Sequence, residues 1–422
     1  MNNSLSQSIL EKRIKRFKSI KRGYYSLIII ISMYALSILS PLWINNKPLI
    51  VKFANGKYDI GEKYHDANGN NFWEENETYN DKSEYLFPAF WDLFDFLPGV
   101  NYPIYESKTF NQISDKFEVN FRLLDKECEL ENIGNFVIMP IYPYHPHEDL
   151  KDQLDEEYED LNNNQQYDLG EKFIDLNNDG KWNQNNPPTK PEGFSGRHLI
   201  GTDNTGRDVF ARVIEGFNVS MTFAIVCTIL SYSIGIIIGA LLGFFGKKID
   251  LFGVRIMEIF SAMPFLFIMM ILSGFMQPNL FILAGILVFL SGWIGIAYYI
   301  RGEFYREKAK DYVSAAVSMG ASNRRVMFKH ILPNALTPVI TFAPFAIIGY
   351  IGTLNMLDLL GYGLQPPAAS WGEMLKQALE NLDNWHMLVF PIISITITLF
   401  MITFIGEAIR EAFDPRVYSR LR

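Results

Sequence analysis

Cysteines, phosphate-binding loops and catalytic groupings are scarce in this sequence, and each shortage excludes a class of protein. Only two cysteines occur in 422 residues. Cys128 lies in an acidic stretch and Cys227 lies inside a long apolar run, so no disulfide between them is expected. No Gly-x-x-x-x-Gly-Lys-Ser/Thr loop is present to hold nucleotide phosphates, and no catalytic set of residues is evident. The chain is therefore predicted to be neither an enzyme nor an ATPase, and no nucleic-acid partner is expected.

Charged residues are missing from five long apolar runs, although the overall hydrophobic fraction of 49% is ordinary. Each run reaches the roughly 20 residues that a helix needs to cross a bilayer. The third run is long enough for two helices, because Gln277-Pro278-Asn279 interrupts it near its middle. The sequence therefore predicts an all-α membrane protein with six transmembrane helices, at 24–44, 217–246, 259–276, 280–300, 334–357 and 385–405.

Lysine and arginine are nearly absent from alternate loops between these helices. None occurs at 274–279, and only Lys376 occurs between 358 and 384. The other short loops are basic, which is typical of the cytoplasmic side, so both termini are predicted to be cytoplasmic. The basic residues 12–16 suit a cleaved secretory signal as well, but the following run is too long and lacks an Ala-x-Ala-like site. We therefore expect a retained anchor.

Residues 46–195, between the first two predicted helices, are too many for a loop in a compact membrane domain. Over 46–206 the sequence has 31 acidic against 14 basic residues, whereas the remainder has 15 against 24. The pattern of 58–68 recurs at 167–177, and Trp73 and Trp182 keep the same register. We divide the chain into 1–45 with the basic N-terminus and first helix, an acidic extracytoplasmic insert at 46–195, and a helical core at 196–422.

Asp/Asn-rich loops in the insert have the spacing of calcium sites, in which oxygens at positions 1, 3, 5, 7, 9 and 12 surround the ion. One loop offers Asp160, Asn162, Asn164, Gln166, Asp168 and Glu171, a second offers Asp66, Asn68, Asn70, Phe72, Glu74 and Glu77, and a third begins with Asp175, Asn177 and Asp179. They resemble the repeats of dockerin-like extracellular calcium modules, although Gln165 and Asn71 replace the usual turn glycine. A solvated loop without metal is the alternative. His145-Pro146-His147-Glu148 is interpreted as a turn, not as a transition-metal site.

The most specific pattern follows the fourth predicted helix, within residues 301–333. Residues 311–322 read DYVSAAVSMGAS, and 330–334 read HILPN. We predict a helix that ends at Gly320, a turn and a second short helix, with Ala315, Ala316 and Met319 on one face that another protein can approach. The order and spacing resemble the EAA loop of binding-protein-dependent ABC importers, with Ser314 in place of the namesake glutamate. The candidate coupling residues are Tyr312, Ser314, Ala315, Ala316, Met319, Gly320, Ala321, His330, Leu332 and Pro333.

Three further blocks resemble the second permease subunit of the oligopeptide/dipeptide/nickel importers. The resemblance covers about 195–422 well and 1–45 weakly. Its motif residues are Gly201, Thr202, Asp203, Gly206, Arg207 and Asp208 before the second helix, Gln365, Pro366, Pro367, Trp371 and Gly372 before the last, and the block 411–416 near the end.

The resemblance implies a type I ABC importer permease in a bacterial cytoplasmic (inner) membrane, with no cofactor of its own for transport. It implies that a homologous second permease forms the other half of a path for peptides or similar solutes. Two ABC ATPase subunits would hydrolyse ATP, an extracytoplasmic protein would bind the solute, and lipid would surround the helices. A membrane-anchored, calcium-dependent adhesin or receptor is the alternative. A secondary transporter should show intramembrane carboxylates or matched broken helices, and the sequence indicates neither.

Overall fold

A computed structural model describes much of the chain, and its residues group into two compact units. The described residues are 9–53, 63–64, 79–80, 84–94, 119–131, 135–148, 158, 167–168, 170–173, 182, 189–191, 193, 198–380 and 382–413. One unit, called here the helical unit, comprises Met1–Ala35, Pro188–Asn204 and Arg212–Arg422. The other, called the insert unit, comprises Leu36–Pro187 and Thr205–Ala211.

Helices dominate the described part of the chain. They are α1 (Ile9–Ser19), α2 (Lys21–Ile38), α3 (Pro88–Asp92), α4 (Phe121–Glu131), α5 (Val209–Phe245), α6 (Lys247–Ser261), α7 (Phe265–Phe275), α8 (Leu280–Leu287), α9 (Ile294–Lys308), α10 (Asp311–Ser318), α11 (Asn323–Arg325), α12 (Leu332–Ile340), α13 (Ala343–Leu359), α14 (Trp371–Glu380) and α15 (Trp385–Phe413). Two π-helical turns, Val288–Gly292 and Val326–Ile331, lead into α9 and α12.

Two of the described helices, α5 and α15, are long and apolar enough to cross a membrane alone. Three bent pairs also qualify when each pair is counted as one span. They are α6 with α7, bent by 65°, α8 and its π-helical turn with α9, bent by 46°, and α11 through α12 with α13, bent by 55°. These helices make the fold a helical, membrane-type one.

The helix boundaries differ from the sequence predictions in informative ways. The interruption at 277–279 is present, and the Asn279 side chain caps α8 by accepting a hydrogen bond from the Ile282 N–H at 2.9 Å. The other breaks were missed: α7 begins just after Pro264, and α12 ends just before Phe342. The sequence therefore wrongly indicated unbroken helices, and helix continuity gives no argument against a secondary transporter.

Helix ends also extend past the apolar runs or fall short of them. Helix α5 begins at Val209 and α15 continues to Phe413. The predicted bounds were narrower because hydropathy excluded the charged residues at these ends, although charged residues are compatible with helix. Helix α2 ends at Ile38, well before residue 44, and the 3₁₀ turn Ser40–Leu42 contains Pro41, which cannot donate a helical hydrogen bond.

Helix α1 and the first turn of α2 run antiparallel to the last part of α15. Arg16 forms an ion pair with Glu411 at 3.3 Å, and Arg22 forms one with Glu407 at the same distance. A Cβ atom on Gly23 would collide with Ala408, so only glycine permits this approach of the two backbones. The guanidinium of Arg13 lies over the Phe413 ring, 4.6 Å from its centroid.

A small sheet and one helix form the core of the insert unit. The antiparallel strands are β1 (Ile50–Phe53), β2 (Lys63–Tyr64), β3 (Tyr79–Asn80), β4 (Glu84–Leu86) and β5 (Phe136–Ile138). Strand β1 lies between β4 and β5, while β2 pairs with β3. Val51 and Val137 from the sheet pack with Phe121, Leu124 and Cys128 of α4. Cys128 and Cys227 form no disulfide, as the sequence indicated.

Candidate functional site

Helix α10, the first part of the predicted coupling loop, is seated on the helical unit by its inner face. Val313 joins a buried cluster with Phe244 of α5, Phe304 of α9 and Ile331 of the second π-helical turn. Three positions separate Val313 from Ala316, which is also buried, so both lie on the same face of the helix. Apolar packing therefore fixes which face of α10 is directed outward.

The outward face of α10 is exposed and partly apolar. Met319 is 81% exposed and Val317 is 56% exposed, and Ser314 and Ala315 are exposed beside them. Helical spacing predicted that Ala316 also lies on this face, and that prediction is wrong because Ala316 is buried. Helical periodicity indicated neighbours on one face, but it did not indicate which side would contact α9.

Gly320 ends α10 in a left-handed conformation, with φ of 79°. Its N–H donates to the Val317 carbonyl at 2.9 Å, and the Ala321 N–H donates to the Ala316 carbonyl at 3.0 Å. This pair of bonds is the Schellman arrangement, in which glycine is favoured because other side chains resist a positive φ. Ser322 then caps the next helix by accepting a hydrogen bond from the Arg325 N–H at 3.4 Å. The helix, the turn and the second helix are thus present.

The other sequence motifs within the helical unit converge on a buried charge cluster. Arg212 is fully buried and contacts Asp203 at 3.4 Å and Glu373 at 2.5 Å. Gln377 donates to Glu373 and accepts a hydrogen bond from the Asn204 N–H at 3.1 Å. We call Asp203, Arg212, Glu373 and Gln377 the arginine cluster. It joins the segment before α5 to α14.

Aromatic and glycine contacts hold the same elements together. The Trp371 indole donates to the Val213 carbonyl at 3.0 Å, and its ring lies where a Cβ atom on Gly216 would stand. His386 at the start of α15 contacts the Thr202 carbonyl at 3.0 Å through Nε2. The Thr202 hydroxyl in turn accepts a hydrogen bond from the Thr189 N–H at 2.8 Å.

Asp358 organises the turn between α13 and α14. Its carboxylate accepts hydrogen bonds from the Leu364 N–H at 2.7 Å and from the Ser370 hydroxyl. Gly363 and Gly372 lie where a Cβ atom would collide with Asp358. In the loop between them, the Gln365 side chain donates to the Gly361 carbonyl at 3.0 Å. The predicted motif residues Pro366 and Pro367 follow directly.

The remaining motif residues Gly206, Arg207 and Asp208 belong to the insert unit. Asp208 accepts hydrogen bonds from the Tyr142 hydroxyl at 2.6 Å and from the Ala211 N–H at 2.8 Å. Gly206 has a φ of 81°, which explains glycine at that position. The sequence analysis missed Tyr142 in this role, and it missed Arg212, Glu373, Gln377 and Asp358 in the helical unit. The signal in the sequence that could have indicated such residues was a charged side chain immediately beside an apolar run.

Most of the predicted calcium ligands lie outside the described residues: Asp66, Asn68, Asn70, Glu77, Asp160, Asn162, Asn164, Gln166, Asp175, Asn177 and Asp179. Asp168 and Glu171 are described, and the Glu171 carboxylate accepts a hydrogen bond from the Asp168 N–H at 2.9 Å. Among the described residues, no group of three or more His, Cys, Asp or Glu side chains is placed to hold a metal.

Four aromatic rings contact one another in the part of the sequence that contains the loops 160–171 and 175–186. Tyr167 stacks on Trp182 with ring centroids 4.8 Å apart, and Tyr158 meets the same Trp182 ring edge-on at 5.5 Å. Phe173 contacts Tyr167 at 5.6 Å. Tyr167 and Trp182, whose positions both recur in the repeat, therefore contact each other.

His145 and Glu148 form a turn, as predicted from the sequence. The Glu148 N–H donates to the His145 carbonyl at 3.1 Å, and the Glu148 carboxylate binds Arg122 through two hydrogen bonds of 2.5 and 3.0 Å. Burial is the main reason that the pKa of His145 is lowered from 6.5 to about 4, with Lys47 adding to the effect and Asp92 opposing it. The imidazole is therefore neutral at neutral pH.

Known proteins resemble the helical part of this chain. Residues 235–419 match the family described as binding-protein-dependent transport system inner membrane component. The peptidoglycan transport system permease protein YejE of Agrobacterium fabrum is 42% identical over 51% of this chain and 57% of its own length. The inner membrane ABC transporter permease protein YejE of Escherichia coli is 41% identical, over 53% of this chain and 66% of its own.

The match with an oligopeptide permease covers a larger share of the relative's own length. The oligopeptide transport system permease protein OppC of Haemophilus influenzae is 35% identical to this chain over 240 residues, which cover 56% of this chain and 76% of the relative. The chain spans less than two thirds of the length of the two YejE relatives. The 240 matched residues are fewer than the 422 of this chain, and the difference is larger than the length of the predicted insert, 46–195.

Proposed function

This chain belongs to the family of binding-protein-dependent transport system inner membrane components, and we propose that it is a permease subunit of an ABC importer for peptides or similar small solutes. It would form half of the translocation path, while separate subunits hydrolyse ATP. Nothing in the names of the matched relatives supports the adhesin or receptor alternative. Membership of this family, and not helix continuity, is what argues against a secondary transporter.

The observation that carries the proposal is the seated, outward-facing helix α10. Val313 and Ala316 fix its inner face, while Val317 and Met319 offer apolar surface to a partner. A solvent-exposed pair of large apolar side chains on a short helix is suited to docking a second protein. An ATPase subunit that moves on nucleotide binding would displace α10 and change the positions of the spans attached to it.

The complete importer would contain further chains. We propose a homologous second permease, two ABC ATPase subunits and an extracytoplasmic solute-binding protein as partners. Six spans with both termini in the cytoplasm of a bacterium would place the insert outside the inner membrane. The basic residues of α1 and of 301–329, together with the acidic composition of 46–206, support this orientation.

Reconstitution tests the transport function. The chain, co-purified with the subunits encoded beside it, is placed in proteoliposomes and supplied with ATP and a panel of labelled di- to hexapeptides. We expect uptake only when ATP is present on the side of the membrane where the ATPase subunits lie and the solute-binding protein is present on the opposite side. An assembly that hydrolyses ATP but imports no peptide of the panel would refute peptides as the solute.

We also propose that the insert binds calcium through 160–171 and its two repeats. The stacking of Tyr167 on Trp182 supports this, because it brings together corresponding positions of two of the three loops. Calcium at millimolar concentration should raise the unfolding temperature of the full chain, whereas magnesium should raise it less. Glu171→Gln should weaken the calcium effect, with Lys172→Gln as the control. Equal curves with and without calcium would favour solvated loops.

A further inference from the structure

The inner end of α10 meets two other helices in a small polar junction. The last turn of α9 supplies Glu307, the first turn of α10 supplies Tyr312, and the first turn of α12 supplies Asn334. Helices α9 and α12 are the two elements through which a displaced α10 would act on the spans. The junction is separate from the exposed face that would dock a partner.

Tyr312 is at the centre of the junction. Its hydroxyl donates to the Glu307 carboxylate at 2.9 Å and accepts a hydrogen bond from the Asn334 side-chain amide at 3.2 Å. The same amide donates to the His330 carbonyl at 3.1 Å. One phenol therefore bridges α9 and α12, and it does so from within α10.

Glu307 gives the junction an immobile end. The carboxylate is 2% exposed and also accepts a hydrogen bond from the Lys310 ammonium at 2.7 Å. A buried carboxylate with several donors is held in one position, since each lost bond leaves a charge without solvent. Lys308 fixes the same helix end to α5 by donating to the Phe244 carbonyl at 2.5 Å.

The backbone on the α12 side is less regular, which makes the side-chain contacts more important there. Val326–Ile331 forms a π-helical turn, and Pro333 in the next turn has no N–H to donate. Such interruptions loosen the ladder of helical hydrogen bonds and allow a helix to bend. Asn334 satisfies the His330 carbonyl at this loosened point and connects it to Tyr312.

We propose that Glu307, Tyr312 and Asn334 form a linkage that transmits displacement of α10 to α9 and α12 during transport. Tyr312 is the positioning residue, and the inference rests on the proposed importer function. The competing account assigns transmission to the apolar seat of Val313 and Ala316 alone. The two accounts differ in what removal of the single hydroxyl of Tyr312 should do.

Tyr312→Phe in the complete reconstituted importer is the direct test. The substitution keeps the ring in its apolar surroundings and removes the bridge, so solute imported per ATP hydrolysed should fall about fivefold or more. Dividing by the rate of ATP hydrolysis separates a loss of transmission from a loss of docked ATPase. The matched control is Tyr298→Phe, which removes a hydroxyl from a 36% exposed position on α9. Asn334→Ala should lower the ratio similarly, and the double variant should lose less than the product of the two.

Hydrogen exchange of the full chain in detergent tests the Tyr312 contacts without requiring transport. Amides of 313–319 should exchange faster in Tyr312→Phe than in the wild type or in Tyr298→Phe. If the wild-type assembly imports no solute, the importer proposal fails regardless of this result. If the wild type imports solute and Tyr312→Phe keeps the wild-type ratio, the linkage is wrong, whether or not exchange has changed.

Discussion

The hydroxyl oxygens of Tyr350 on α13 and Ser231 on α5 lie 2.6 Å apart and share a hydrogen bond. The Tyr350 hydroxyl is also 3.4 Å from the carbonyl of Gly292, in the first π-helical turn. A Cβ atom on Gly292 would lie 2.6 Å from the Ser231 oxygen and 3.0 Å from the Tyr350 oxygen. Three helices therefore meet at one pair of hydroxyls, and only glycine leaves room for them.

Tyr350→Phe should lower the stability of the purified chain by about 1 kcal/mol, because it removes a hydrogen bond between helices in an apolar setting. Gly292→Ala should cost more, since the added methyl group has to displace both hydroxyls. Thermal unfolding in detergent measures both, with Gly295→Ala as the control, because nothing lies within 4 Å of a Cβ atom there. Equal unfolding temperatures of the Gly292→Ala and Gly295→Ala variants would contradict the packing described.

Gly320 should be sensitive to backbone conformation and insensitive to side-chain size. No atom lies within 4 Å of a Cβ atom at this position, whereas its φ is 79°. Gly320→Val should therefore abolish solute-stimulated ATP hydrolysis of the assembled importer and leave membrane insertion intact. Gly320→Asn, which tolerates a left-handed conformation, should retain most of the stimulation. Equal stimulation in the wild type and Gly320→Val would remove the docking role assigned to this loop.

Arg212→Met should destabilise the helical unit by about 3–5 kcal/mol, because Asp203 and Glu373 would lose a buried cationic partner. Denaturant unfolding, or yield of folded protein if the variant cannot be purified, gives the readout. Lys376→Gln on the exposed side of α14 is the control and should stay within about 0.5 kcal/mol of the wild type. A small effect of Arg212→Met would contradict the stabilising role assigned to this buried ion pair.

His145 should make the insert unit less stable in mild acid. Its pKa is lowered from 6.5 to about 4 on folding, so the unfolded chain binds the proton more readily than the folded one. Stability should be independent of this group above pH 6.5 and should fall as the pH decreases towards 4. Between pH 7 and pH 5 the loss should be about 1–2 kcal/mol.

Hydrogen exchange of the β1 and β5 amides at the two pH values measures that loss after correction for the intrinsic rate. His145→Gln has no group that titrates there, so its protection should change less than that of the wild type. The insert contains many carboxylates, and the difference between the two proteins isolates the histidine. Identical pH dependence in both proteins would show that His145 is not responsible.

Local chemistry was the part of the fold that the sequence predicted well. The cap at Gly320, the interruption at 277–279 and the turn at His145 each depend on residues within a few positions of one another. The bends near Pro264 and Phe342 were missed, because an apolar run has the same hydropathy whether its helix is straight or broken. Hydropathy also placed the start of α5 too late, at residue 217.

Long-range contacts could not be predicted from one sequence. Arg212 and Glu373 are 161 positions apart, and no local pattern pairs them. Similarly, periodicity put Ala316 near Met319 without indicating that Ala316 would be buried. The motif blocks before α5 and α14 were recognised as separate signatures; Asp203 of the first block belongs to the arginine cluster, and Arg212 of that cluster donates to the carbonyl of Pro367 in the second block at 3.5 Å. Resemblance identified the residues, and three-dimensional packing gave them partners.

The pairing of α1 with the end of α15 has a consequence for biosynthesis. Arg16 and Glu411 are separated by 395 positions, so a ribosome makes the first partner long before the second. Helix α1 therefore has no contact with the end of α15 until the positions that separate Arg16 from Glu411 have been translated. A chain cut short before Glu411 lacks this ion pair, so the pairing of α1 with α15 marks a product in which translation has passed that residue.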